Sequence, residues 1–334
     1  MKLYTPVECE KIAQLTQSVP ISTLGSCFAD DMGARLQDAG FDVLANPFGT
    51  LYNPASLAAA VERLDSARPF TREECVEMGA GAGRVCSFSH HTSFARPTAE
   101  EFLAYANARL IEDAARWRAC KSVILTLGTA WVWRALEVPG QPVVANCLKR
   151  PAREFAHELL GVDACTQLLR GIIETHPDKQ FILTVSPIRH LGSGAHANTL
   201  SKSTLHLAVE HVSQPADGKR PGVPATRLPS SLPAGAGTGF GDTNPAAAEP
   251  SSSGSTGAAL FPCAGNVSYF PAYEIVMDEL RDYRFYADDL VHPAPAAIQI
   301  VWERFLDACT DPAERERILA AERAARAARH RPLQ

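Results

Sequence analysis

The chain has 334 residues, 46% of them hydrophobic, and a net charge of -5, which is enough for one or two domains whose core needs no covalent staples. That charge gives no bulk attraction to nucleic acid or anionic membrane, and no run of ~18 apolar residues is present to span a bilayer. The nine cysteines lie without paired spacing and residues 1–15 are polar and acidic, so the expectation is a cytoplasmic chain with reduced thiols and no export signal.

In chain order, an apolar run at 21–24 reads as the first strand and is followed at once by a helix at 28–39. A second strand at 41–45 leads to helices at 54–64 and 99–119, a third strand at 122–127 to a helix at 152–175, and a fourth strand at 181–185 to a helix at 200–212. A fifth strand at 267–270 precedes helices at 272–282 and 293–308. Strands as uniformly apolar as VILTL and FILTV belong in a sheet covered on both faces. The alternation of strand and helix therefore predicts an α/β, three-layer, flavodoxin-like fold with a parallel five-stranded sheet, one domain over 1–309. Between 213 and 259 the composition changes to Pro, Gly, Ser and Ala with almost no large apolar residue. Such a segment cannot offset its ordering entropy, so a disordered insertion is expected, with a passive spacer favoured over a docking or tethering role. An Ala/Arg/Glu helix at 312–329 forms a basic tail over 310–334, expected to be solvated rather than packed on a partner chain.

The chemistry concentrates at two places. Gly25 ends the first strand and Ser26 and Cys27 fall on the turn into the helix, where backbone N–H groups favour developing negative charge and a nucleophile is placed to attack. The plainer reading makes Ser26 an N-cap and Cys27 a space-filling side chain. Near the other end, residues 286–293 read YADDLVHP, so Asp289 and His292 stand three apart. A carboxylate so placed holds an imidazole in one tautomer and leaves it as a general base; the plainer alternative is a histidine capping the helix that Pro293 opens. Taken together the two pieces make a nucleophile, base and orienting acid.

Two further groups are candidates. Cys86, His90 and His91 lie in CSFSHHTSF, but alternation sends the two histidines to opposite faces of a strand and no second ligand pair has recognisable spacing, so no metal is expected. Ser186, Arg189, His190, Ser201 and Lys202 flank the fourth strand's carboxyl side and can line a pocket for an anionic group, with loop support as the alternative. Glu274, in FPAYE, reads as a buried structural partner.

The pentapeptide Gly25-Ser26-Cys27-Phe28-Ala29 is identified as the motif of the GSCFA family, which resembles the SGNH (GDSL-type) hydrolase superfamily. NPFGTLYNP at 46–54, LTLGTAWV at 125–132, VANC at 144–147, TVSP at 184–187, NTLSKS at 198–203 and YFPAYEI at 269–275 through His292 are similar to further family blocks in family order. The resemblance spans about residues 3–306 apart from the insertion. It implies an SGNH-hydrolase-like fold and a hydrolase-like site.

Matching Gly-Asp-Ser-Leu position by position puts the nucleophile on Cys27 and Ser26 where the superfamily keeps aspartate; sliding by one residue gives Ser26 the role. A thiol at a helix start near a histidine has its thiolate favoured, which supports Cys27. The resemblance also implies an oxyanion hole from the nucleophile's own N–H, a glycine after the second strand, here Gly49, and an asparagine after the third. Ala130 stands at the asparagine position, leaving Asn146 or the Thr129 hydroxyl as replacements, and a lost donor typically costs ~2.7–4 kcal/mol of transition-state stabilisation. His91 falls in a family block and is assigned to the substrate pocket. The expected activity is an esterase or acyltransferase on a small-molecule or glycan ester or acyl substrate, with no cofactor. The alternatives are a catalytically inactive scaffold that binds such compounds, and an interaction module built around the insertion and tail. The chain carries no signal for a particular oligomeric state.

Overall fold

The computed structural model describes residues 5–213 and 265–329. Its centre is a five-stranded, all-parallel sheet in the order β10-β9-β5-β1-β2, built from β1 (Ile21–Gly25), β2 (Val43–Ala45), β5 (Ser122–Leu127), β9 (Gln180–Val185) and β10 (Val267–Tyr269). Every residue of β1 and β5 is buried, as apolar strands covered on both faces require. Alternation then sorts the side chains. Val123, Leu125 and Leu127 pack with Leu57 of α2 (Pro54–Ser66), Phe102 and Trp117 of α3 (Ala99–Ala119), Leu169 of α4 (Val162–Glu174) and Leu205 of α5 (Ala195–Ser213). Ile21, Ile124 and Ile182 point the other way, onto Phe28, Met32 and Leu36 of α1 (Cys27–Asp38) and Val301, Trp302 and Phe305 of α7 (Pro295–Cys309). The expected three-layer α/β architecture is present, with its strands where the sequence puts them.

The chain leaves β1 to form β2 on one side and returns to form β5 on the other. Such a reversal opens a crevice at the strand carboxyl ends, where ligands of open α/β sheets bind. Gly25 makes the closest approach there: its φ is +148°, and a Cβ would lie 2.2 Å from the Thr126 carbonyl oxygen. Ser26 N–H donates to that carbonyl at 3.2 Å, which holds the first turn of α1 over the end of β5.

Two expected helices are corrected. The helix predicted over 152–175 is in fact the strand β8 (Phe155–Leu159) followed by α4. With β6 (Trp131–Ala135) and β7 (Val143–Val144), β8 forms a small antiparallel sheet in the order β7-β6-β8, and a second hairpin joins β3 (Val76–Glu77) and β4 (Val85–Cys86). The helix predicted over 272–282 is shorter: α6 (Ala272–Glu274) runs into a single π turn, Ile275–Glu279. Most of the insertion expected at 213–259 lies outside the described residues. The expected tail helix is α8 (Pro312–Arg329), and it is docked rather than solvated. Ile318 is fully buried, Glu314 accepts from the Gln17 N–H at 2.6 Å, and Glu322 accepts from the Trp302 indole at 2.8 Å. No described helix is long and apolar enough to cross a membrane.

Candidate active site

Cys27 is the first residue of α1 and is half-buried; Ser26, the N-cap, is fully buried. The Ser26 side chain makes no cap hydrogen bond, and its Oγ has no partner among the described residues. By the geometry of any helix start the first N–H groups of α1 lack an acceptor four residues back, and that of Ala29 donates instead to the Ser26 carbonyl at 2.7 Å. The Cys27 Sγ instead contacts the Tyr52 hydroxyl at 3.6 Å, and that hydroxyl reaches Thr50 Oγ1 at 3.4 Å. Burial raises the Tyr52 phenol to about 12; the Thr50 hydrogen bond opposes this and the Cys27 contact adds to it. Tyr52 is held in place at its backbone, where its carbonyl accepts from Gly128 N–H at 2.9 Å and Thr129 N–H at 2.8 Å. Asn53 next to it caps α2 by accepting from Ser56 N–H at 2.8 Å.

The Asp-x-x-His loop forms a second polar group. His292 Nδ1 lies 2.6 Å from Asp289 Oδ2, and Asp289 Oδ1 accepts from the Val291 N–H at 2.9 Å and the His292 N–H at 3.0 Å. Those backbone bonds, and then the imidazole itself, hold the Asp289 carboxyl well below its ordinary value, so it is ionised at neutral pH and accepts the Nδ1 proton. Nε2 is then the basic nitrogen. Both side chains are about half exposed, 48% and 50%. Arg189, after β9, pins this loop: its guanidinium donates to the Leu290 carbonyl and stacks 4.5 Å from the Tyr286 ring centroid.

The two groups share one edge of the molecule. Asp31, one helical turn from Cys27 on the same face of α1, is raised by burial and by Asp30, while Arg35 and the His292 imidazole oppose that rise. His190 joins them from the loop after β9: its ring lies edge-on to Tyr52 with centroids 5.5 Å apart. Burial lowers the His190 imidazole to about 4, with Lys202 and His292 adding to the effect. Its Nε2 is buried and has no hydrogen-bond partner among the described residues. A Cβ on Gly128 would sit 3.1 Å from this Nε2, 3.0 Å from the Tyr52 carbonyl and 3.3 Å from Ser26 Cβ. A side chain at 128 would require these three neighbours to give by a few tenths of an ångström.

The other expected residues are placed as follows. Lys202 is buried and donates to the Gly128 and Ser186 carbonyls, each at 2.6 Å, so it ties together the carboxyl ends of β5 and β9. Ser186 Oγ accepts from the Ile188 N–H at 3.3 Å. Ser201 Oγ lies 2.9 Å from Thr129 Oγ1 and accepts from the Ala130 N–H at 2.7 Å. Two of the three expected oxyanion donors are engaged in local bonds, and the third holds a turn through its acceptor oxygen. Gly49 N–H donates to the Asn46 carbonyl at 2.7 Å, the Thr129 hydroxyl is bound by Ser201, and Asn146 Oδ1 accepts from the Leu148 N–H at 2.8 Å in a turn. His91 bonds Ser93, with its Nδ1 3.0 Å from the serine hydroxyl. His90 is in the core: it lies among Phe48, Phe70, Phe94 and Phe102 with its Nδ1 2.7 Å from Ser87 Oγ. Burial lowers it to about 3, helped by Arg63. Glu274 accepts from the Tyr269 hydroxyl, at 2.8 Å to one carboxylate oxygen. Among the described residues no group of three or more His, Cys, Asp or Glu side chains is arranged to hold a metal ion.

Sequence reasoning missed Tyr52 and Thr50. Both sit in the NPFGTLYNP block, and only the folding of that block across the end of β1, where Leu51 N–H donates to the Gly25 carbonyl at 2.8 Å, brings them to the thiol.

The fold and site define a doubly wound α/β domain with a thiol where its first strand meets a helix and a carboxylate-paired histidine on the loop before α7. The GSCFA family pattern matches residues 20–219 and 258–305, more than half of the chain, and the chain belongs to that family. No curated protein and no solved structure matches it.

Proposed function

We propose that this protein is an esterase or acyltransferase in which Cys27 carries the acyl group, in line with the hydrolase site that the SGNH resemblance implies. The carrying observation is the His292–Asp289 pair at 2.6 Å, with the carboxylate fixed by two backbone N–H groups and the loop fixed by Arg189 at the edge where Cys27 opens α1. His292 Nε2 takes the Cys27 proton, directly or through one water. The sulfur bonds to the acyl carbon, the carbonyl π pair moves onto oxygen, and collapse breaks the bond to the alcohol, which leaves with the proton from His292. Water or a second alcohol then repeats the sequence and frees the thiol. The Cys27 and Phe28 N–H groups at the start of α1 are the donors we assign to the oxyanion, because the Gly49 N–H and the Thr129 hydroxyl must first release local partners and the Asn146 amide is fixed in a turn through its oxygen.

Cys27 is preferred to Ser26 on access: the thiol is half-buried and the serine hydroxyl fully buried. The engagement of the Gly49 and Thr129 donors in local bonds favours one second reading, a scaffold that binds acyl compounds without turning them over. An electrophilic ester probe separates the readings when adducts are mapped by mass spectrometry in the wild type, Cys27→Ala, Ser26→Ala and His292→Ala. Adducts at Cys27 that vanish in His292→Ala support the thiol enzyme. Labelling that does not depend on His292 leaves the binding scaffold.

A further inference from the structure

We propose that Tyr52 is a catalytic residue of this site, its hydroxyl accepting the Cys27 S–H in the resting state and donating to the sulfur once the thiolate forms, with the Thr50 hydroxyl as the rotor behind it. The inference rests on the reading of Cys27 as nucleophile. Three atoms in a line carry it: Cys27 Sγ, Tyr52 Oη at 3.6 Å and Thr50 Oγ1 at 3.4 Å. Residues 50 and 52 are two apart, and the hydrogen bond between their side chains puts both on one side of the segment. Among the described residues Tyr52 is the sole side chain hydrogen-bonded to Cys27.

The phenol has one hydrogen and must choose. With the thiol protonated, S–H points to Oη and the phenol donates to Thr50. When the S–H proton leaves for the imidazole, sulfur becomes an acceptor only, the phenol hydrogen turns to it, and the Thr50 hydroxyl turns to donate to Oη. No covalent bond of tyrosine or threonine changes; two hydrogen-bond directions reverse. Both hydroxyl hydrogens rotate freely, so the exchange needs no movement of the chain. A charge-assisted bond to the thiolate is stronger than the neutral bond it replaces, which biases the site toward the nucleophilic form.

The surroundings suit a donor that keeps its proton. Burial, which raises the phenol to about 12, keeps it neutral across the range in which a thiol ionises. Its ring is fixed by His190 at 5.5 Å and its backbone by two N–H donors from the end of β5. The other titratable and charged groups around it and the first turn of α1 include Asp30, Asp31, Arg35, His91, His190, Lys202 and His292, and the variants below leave all of them in place.

The test is the pH dependence of Cys27 alkylation by iodoacetamide, read at the Cys27 peptide because Cys9, Cys75 and Cys147 are also half-buried. Tyr52→Phe keeps the ring and is expected to move the midpoint up by about one unit, a tenfold loss of thiolate below it. Thr50→Val keeps the shape, removes only the rotor, and is expected to move the midpoint the same way by roughly half as much. An unchanged or lowered midpoint in Tyr52→Phe overturns the proposal, and so does an unchanged Thr50→Val. Ester-probe acylation reads the underlying mechanism separately. If the midpoint moves but Cys27 never acylates, the relay stands and the acyl-transfer reading falls; if Cys27 acylates while the midpoint holds still, the relay alone falls.

Discussion

Two histidine loops of this chain look alike on paper and are physically opposite. The segment around His90 offers a cysteine and two imidazoles, and the segment around His292 offers one imidazole and two aspartates. In the fold His90 lies among four phenylalanine rings and is lowered by burial to about 3, so it is neutral and serves as packing. His292 is half exposed and bonded through Nδ1 to a carboxylate. Burial without a charged partner removes an imidazole from acid–base work, whereas exposure with an ionised partner equips it for that work. The residue type carries little information until its neighbours are known.

The largest test of this contrast is a crossed pair. His292→Ala is expected to lower Cys27 acylation about 10²–10⁴-fold while leaving the urea midpoint nearly unchanged, since an exposed side chain supports little packing. His90→Ala is expected to do the reverse, costing roughly 3 kcal/mol in urea unfolding through the cavity it opens, with Cys27 labelling retained once the protein is folded. If both variants lose labelling and stability alike, the distinction between the loops is wrong.

His90 also gives a pH signature. Its folded value of about 3 lies below the ordinary 6.5, so between those pH values the unfolded chain binds a proton that the folded chain refuses. Stability is therefore fully present above 6.5 and declines as pH falls toward 3. In His90→Phe this part of the decline is expected to flatten, offset by about 1 kcal/mol at all pH values because the Ser87 hydroxyl loses its partner. Equilibrium unfolding at several pH values checks it; a decline as steep as in the wild type rules His90 out as its source.

How much of this was legible in the sequence follows from how local each signal is. VILTL and FILTV declare buried strands because four of the five residues of each are apolar. The Asp289–His292 pair is legible because both partners lie in one loop. Strand β8 was not: Ala156, His157 and Glu158 are polar or small, compatible with helix, and become a strand only by pairing with β6, where Trp133 sits opposite His157. The docking of α8 depends on Glu314 meeting Gln17 across almost the whole chain, and the Tyr52 contact joins Cys27 to a residue 25 positions away. Spacing within a segment is readable; meetings between segments are not.

The smallest expected effect sharpens the comparison most, because Ser26 and Cys27 repeat the same contrast side by side. Ser26 is buried, unpaired and makes no cap bond, whereas Cys27 is half-exposed and hydrogen-bonded to Tyr52. Replacing an N-cap serine by alanine ordinarily costs ~1 kcal/mol because a side-chain bond to the helix start is lost. Here there is no such bond, and a desolvated hydroxyl is removed instead. Ser26→Ala is therefore expected to leave the unfolding free energy unchanged or raise it by about 1 kcal/mol, with ester adducts still on Cys27. A destabilised variant would show that the hydroxyl has a partner after all, and loss of the Cys27 adducts would move the nucleophile one residue back, to an oxygen that must first be uncovered before any substrate can reach it.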